Sequence, residues 1–321
     1  MKHLVAALAL GGLTLGTLAL PAPAQAQDRL SIMLDWFVNP NHAPIVLAQE
    51  LGYFATAGLA VEIATPSDPN APPRMAAAGS VDLAISYQPQ LHLSRHDALP
   101  LRRVGTLIGA PLTCLAVLAD GPVKGIADLK GRRVGFAVAG VQEVMLEAML
   151  AHHGLEPGDV ERINIGWSIS PALMAGQVDG VIGAFRNFEL NQLQLEGTQG
   201  RCFHPEEEGV PSYDELIYVA NPDSMNADAI ARFLDATAQA VAFIQSEPDR
   251  AWEVFSGTAA ELQTELNALA WADTWPRFAV QPAALDAARY ARFEAFLAEG
   301  GATPGGLTVD DLALDLTEVG P

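Results

Sequence analysis

The side chains with chemical potential in this chain gather in a few short runs. Asp35-Trp36-Phe37-Val38-Asn39-Pro40-Asn41-His42 joins two aromatic rings to amides, an acid and an imidazole. Ser86-Tyr87-Gln88-Pro89-Gln90 adds a phenol and uncharged amides on a segment stiffened by Pro89. Gly140-Val141-Gln142-Glu143, Gly166-Trp167-Ser168 and Gly183-Ala184-Phe185-Arg186-Asn187-Phe188-Glu189 complete the set. Aromatic plates with amide donors and acceptors suit a flat small molecule with a polar edge. Glu189 is the carboxylate that fits a base-like ligand, because it accepts two hydrogen bonds from an amidine-like edge, strengthened when the ring nitrogen is protonated.

Each residue also has a plainer reading. Trp36 and Phe37 serve a core as well as a ligand, and Asn39 or Asn41 serves as a helix cap. Glu143 follows a glycine, where backbone amides at a helix start hold polar ligand atoms, yet its charge also suits the first turn of a helix. Arg186 pairs either with Glu189 or with an acid on a facing lobe, which would latch closure. Tyr87, Gln88 and Trp167 are expected to face a cleft.

No GxSxG, HExxH, Walker A or CxxC pattern occurs, so neither catalytic residues nor a cofactor are expected. His42 has no partner at metal-ligand spacing, and His92 and His96, four apart, are expected as a surface pair rather than a metal site. Cys114 and Cys202 fit one disulfide in an oxidising compartment or two buried thiols equally well.

The elements that must position these runs alternate. Strands are expected over residues 30–34, 61–64, 81–86 and 101–108, with helices over 43–54, 73–78 and 91–97 between them. A second series follows Pro111, with strands over 133–137, 160–165 and 178–183 and helices over 143–153 and 171–175. Strand-helix alternation implies an α/β fold of two lobes with mixed, mostly parallel sheets covered on both faces. After a last strand at 216–220 the chain is helical, over residues 227–245, 251–255, 260–271 and 282–297. These helices cannot complete a sheet, so they are expected to pack back on the first series. The expected organisation is a discontinuous first lobe, residues 28–112 plus 216–321, and a second lobe, 113–215. Two crossings leave a cleft that closes by hinge motion.

Composition narrows the classes. Of 321 residues, 18 are Lys or Arg and 38 Asp or Glu, a formal charge of −20 that opposes binding to nucleic acid or anionic lipid. Lys2 and His3, an uncharged apolar run over residues 4–20 and Ala24-Gln25-Ala26 form the pattern of a cleaved secretory leader, residues 1–26. A soluble periplasmic monomer is the expectation.

The run from Leu34 to Pro44, Glu50-Leu51-Gly52-Tyr53-Phe54, Ile85-Ser86-Tyr87-Gln88-Pro89-Gln90 and the run from Gly183 to Glu189 resemble the NMT1/THI5-like substrate-binding proteins of ABC importers. The likeness is greatest to the group that binds thiamine pyrimidine precursors; it covers nearly all of residues 30–225 and weakens in the helical tail. It implies a type II periplasmic-binding-protein fold, a permease and ATPase as partners, and an aminopyrimidine ligand such as formylaminopyrimidine or hydroxymethylpyrimidine. Trp36, Asn39, His42, Tyr87, Gln88, Trp167, Asn187 and Glu189 match the positions that would hold it. Fungal pyrimidine synthases resemble the same fold, but this chain has Gln90 where they use a histidine and lacks their cysteine-rich motif. Other cargoes on this scaffold are riboflavin, an alkanesulfonate or another heteroaromatic.

Overall fold

Residues 27–317 are described by a computed structural model; the expected leader, residues 1–26, lies outside the described residues. Ten strands are placed in chain order: β1 (Asp28–Met33), β2 (Leu59–Ala64), β3 (Leu83–Ser86), β4 (Arg102–Ile108), β5 (Thr113–Leu118), β6 (Arg133–Phe136), β7 (Glu161–Asn164), β8 (Gly180–Phe185), β9 (Gly200–Phe203) and β10 (Leu216–Ala220). They form two sheets, ordered β2-β1-β3-β10-β4 and β7-β6-β8-β5-β9.

The two sheets repeat one plan. In the first, β1 pairs in parallel with β2 and β3, while β10 runs antiparallel to β3 and β4. In the second, β6 pairs in parallel with β7 and β8, while β5 runs antiparallel to β8 and β9. Each antiparallel insert is the first strand after the chain has crossed from the other sheet. The sheets are therefore mixed in equal parts rather than mostly parallel. The difference comes from β10 in the first sheet and β5 in the second, each inserted antiparallel between strands of the other series.

Helices cover the sheets. The expected helix over 43–54 divides into Ala43–Glu50 and Tyr53–Thr56, because Gly52 takes φ 74°, a left-handed conformation that ends the first helix. Asn226 caps the long helix Ala227–Ser246 through the Ala229 amide. That helix packs on Ala43–Glu50, and the rings of Phe54 and Phe233 stack at 5.0 Å. The tail also returns to the first sheet at its edge, where the Leu314 amide donates to Arg103 O at 2.8 Å. Among the described residues no helix is long and apolar enough to cross a membrane.

Buried polar groups fasten the crossings. Glu215 Oε2 accepts from the amides of Leu112 and Thr113 at 2.6 and 2.7 Å, and Oε1 from Thr113 Oγ1 at 2.9 Å. Arg186 donates to the carbonyls of the same two residues, at 3.2 and 2.8 Å.

Cys114 on β5 and Cys202 on β9 form a disulfide across a separation of 88 residues, which settles the choice the sequence left open. Such a link stabilises by restricting the unfolded chain, by about 2–4 kcal/mol. Reduction, or the double substitution Cys114→Ala/Cys202→Ala, is expected to lower the urea midpoint accordingly; an unchanged midpoint would show that the link carries no stability.

Candidate functional site

Between the sheets lies a narrow cavity, partly open to solvent and lined by Asp35, Trp36, Asn39, Asn41 and Tyr87 from one side and by Ala137, Val138, Gln142, Ile169, Gly183, Phe185, Phe188 and Glu189 from the other. Most of these residues sit at or just beyond the carboxyl ends of β1, β3, β6 and β8, the usual ligand position in a parallel α/β layer.

On the first side one acid is held from two directions. Asp35 Oδ1 accepts from His42 Nε2 and Oδ2 from the Tyr87 hydroxyl, both at 2.9 Å. His42 Nδ1 faces the Asn39 amide at 3.3 Å, which assigns the ring proton to Nε2. Asn39 in turn caps the 3-10 turn Pro40–His42, accepting from Asn41 N at 2.9 Å. The run after β1 thus fixes its own shape, and Asn39 has both a capping role and a place in the cavity wall. Burial, then the neighbouring Asp35 carboxylate, pushes the Tyr87 hydroxyl well above the ordinary phenol range, so it stays a donor.

On the second side Gln142 Oε1 accepts from the amides of Ala137 and Val138, at 2.8 and 3.1 Å. Its amide nitrogen rests on Gly183, where a Cβ would lie 2.0 Å away and where φ is +94°. Glu189, in the first turn of the helix Glu189–Leu195, accepts from Phe185 N at 2.6 Å through Oε2. Burial raises its carboxyl from 4.5 to about 7, against the pull of that amide and its own.

Trp36, Asn39, Tyr87 and Glu189 line the cavity. Trp167 does not line the cavity but an adjoining groove that shares Trp36, Phe188 and Glu189 with it; it is 39% exposed, its ring edge-on to Trp36 with centroids 4.1 Å apart. His42 is fully buried behind Asp35, to which it hydrogen-bonds, and does not line the cavity. Asn187 bridges the two sides, donating from Nδ2 to Asn41 Oδ1 at 2.8 Å and to Thr274 Oγ1 at 2.6 Å.

Three expected residues lie elsewhere. Gln88 is turned into the core, where Oε1 accepts from Asp214 N at 2.8 Å, because the residue after Tyr87 enters a helix and points to its inner face. Glu143 caps its own helix through Gly140 N at 3.0 Å, leaving the cavity to Gln142. Arg186 pairs neither with Glu189 nor across the lobes; it is forked onto Glu206 at 2.7 and 3.0 Å. His92 and His96 are not a surface pair either, since both hydrogen-bond to the buried Glu294, at 2.8 and 2.9 Å. Asp35, Asn41, Gln142, Gly183, Phe185 and Phe188 also line the wall and fall within the runs that looked chemically rich, but residue type alone does not tell which faces turn inward. Ala137, Val138 and Ile169 fall outside those runs, and as plain apolar residues they carry no signal in the sequence.

A family model described as NMT1/THI5 like matches residues 39–251. The chain belongs to that family. Within the family and around it, a Haemophilus influenzae protein provisionally named as a thiamine biosynthesis protein is 49% identical over 93% of this chain and 96% of its own length. A formylaminopyrimidine-binding protein of Halalkalibacterium halodurans is 33% identical over 72% and 70%. A 4-amino-5-hydroxymethyl-2-methylpyrimidine phosphate synthase of Legionella pneumophila is 25% identical over 80% and 82%. The fold of this NMT1/THI5-like chain is shared with the periplasmic aliphatic sulphonate binding protein SsuA of Escherichia coli, with a TM-score of 0.71, 18% identity and coverage of 92% and 94%.

Two outcomes follow from this geometry. Gly183→Ala has no room beside Gln142 and an unsuitable φ; it is expected to displace Gln142 and abolish ligand binding in a protein that still folds, as judged by circular dichroism. Glu189 has a raised carboxyl in the folded state, so its contribution to stability is present below about 4.5 and lost as pH rises through about 7. Glu189→Gln is expected to remove that loss, on the order of 3 kcal/mol for a shift of this size, and parallel stability profiles of the two proteins would contradict it.

Proposed function

We propose that the protein is the solute-binding component of an ABC importer and that it carries an aminopyrimidine of the thiamine-precursor type, without turning it over. The supporting observation is Glu189: a buried carboxyl poised near neutrality inside an aromatic cavity. A pyrimidine carrying an exocyclic amine beside a ring nitrogen offers one donor and one acceptor. The pair fits a carboxyl with a single shared proton, whichever partner carries it, and Trp36, Phe185 and Phe188 supply the flat apolar walls. Asp35 and Glu189 together disfavour an anionic cargo such as a sulfonate. Gln90 supports carriage over synthesis: its Oε1 accepts from Ser86 Oγ at 3.1 Å, and it lines a groove outside the cavity.

In this reading the chain divides near residues 112 and 216, and the lobes close on the ligand because the closed state makes contacts from both. The leader pattern supports a periplasmic carrier whose cargo a permease with its ATPase would take. The name of the Halalkalibacterium relative agrees with the ligand class.

Calorimetry with hydroxymethylpyrimidine and formylaminopyrimidine tests it. Glu189→Ala is expected to weaken binding by roughly 2–5 kcal/mol, and equal affinity would remove Glu189 from the site. Because the complex keeps one shared proton, wild-type affinity should fall about tenfold per pH unit above about pH 7. Glu189→Gln should lose that slope. Incubation with either pyrimidine should return it unchanged; a product would establish an enzyme instead.

A further inference from the structure

Outside the cleft, the nitrogen and oxygen ligand atoms of His152, His153 and Glu208 all lie within 4.8 Å of one another. The two histidines end and follow the helix Val141–His152, whereas Glu208 leaves the turn Pro205–Glu207. The segments meet because Gly209, at φ +93°, passes over the His152 ring: a Cβ there would lie 3.0 Å from His152 Cβ. His153 Nε2 already hydrogen-bonds to Glu208 Oε2 at 2.5 Å. The cluster takes no part in the cleft.

We propose that His152, His153 and Glu208 bind a late first-row divalent cation, Zn²⁺ being the type case, with water in the remaining position. Two imidazoles and one carboxylate are the donor set of such ions, whereas Mg²⁺ and Ca²⁺ take oxygen donors. Ligands bonded at about 2.0–2.1 Å stand roughly 3.3 Å apart around a tetrahedral ion. The exposed histidine rings reach that spacing by rotating. The formal charge of −20 raises the cation concentration at the surface. The bound ion would brace the second lobe, tying the far end of the helix that carries Gln142 to the turn that presents Glu206 to Arg186.

The test is calorimetric titration of ZnCl₂ and NiCl₂ into protein without a histidine tag, with thermal melts alongside. One ion per chain is expected, with a higher melting temperature in its presence. His153→Ala and Glu208→Gln should each weaken binding by more than the roughly 10- to 100-fold typical of losing a group that only supports a ligand. His204→Ala should not, because that residue pairs with Glu207 beside the cluster. Co²⁺ should give a visible absorption band that disappears in His153→Ala. Absence of saturable binding, or equal binding by all variants, meaning an adventitious ion only, would overturn the site. Pyrimidine affinity is measured on the same samples, so failure of the metal site and failure of the proposed cargo are distinguishable.

Discussion

The cleft depends on the chain passing between two sheets twice and on those passages being fastened to each other. Glu215, at the start of β10, takes the amides of Leu112 and Thr113 at the start of β5. Burial raises its carboxyl although both amides pull the other way. Arg186 holds the carbonyls of the same residues and is neutralised by Glu206. A buried acid that lost these partners would strand its charge at a cost of several kcal/mol. The two crossings are therefore bonded to each other by buried polar groups, and the proposed closing motion would turn about them.

Between the sheets stands a pair of buried acids with opposite solutions. Asp35 is satisfied within its own lobe, by a hydroxyl held as a donor and by an imidazole whose tautomer the Asn39 amide assigns. Glu189 has an amide but no cation, and burial raises its carboxyl. The first acid is satisfied within the protein, whereas in the proposed function the second is the receptor group, whose desolvation a complementary ligand edge would offset. Asn187 contributes in another way, joining the two sides of the cavity through Asn41 and Thr274 while its Oδ1 is buried with no hydrogen-bond partner among the described residues. A ligand donor or a small shift on closure would satisfy it.

Much of this architecture is legible in the sequence. Glycine-stopped helices such as Ala43–Glu50 and the turn runs after β1, β3 and β8 mark where polar groups leave a parallel layer, and a shared phrase, Gly-x-Val-Asp, precedes a buried strand in each half. Strands β5 and β9 escape such a reading because each leads to the next strand through a 3-10 segment rather than an α-helix, so the strand-helix rhythm does not mark them. Gln88 and Glu143 show the limit at side-chain level: each stands one residue from a cavity residue, Tyr87 and Gln142, and a helix turns neighbours to different faces. Arg186 was ambiguous for a different reason, since its partner Glu206 is 20 residues away and only the tertiary turn brings it near.

The most direct test of the carrier account is native mass spectrometry of the protein isolated from its own cell envelope. The account predicts a one-to-one complex whose released ligand has the mass and fragmentation of an aminopyrimidine of the thiamine-precursor type. A bound flavin, a sulfonate or a phosphorylated cofactor in its place would contradict it.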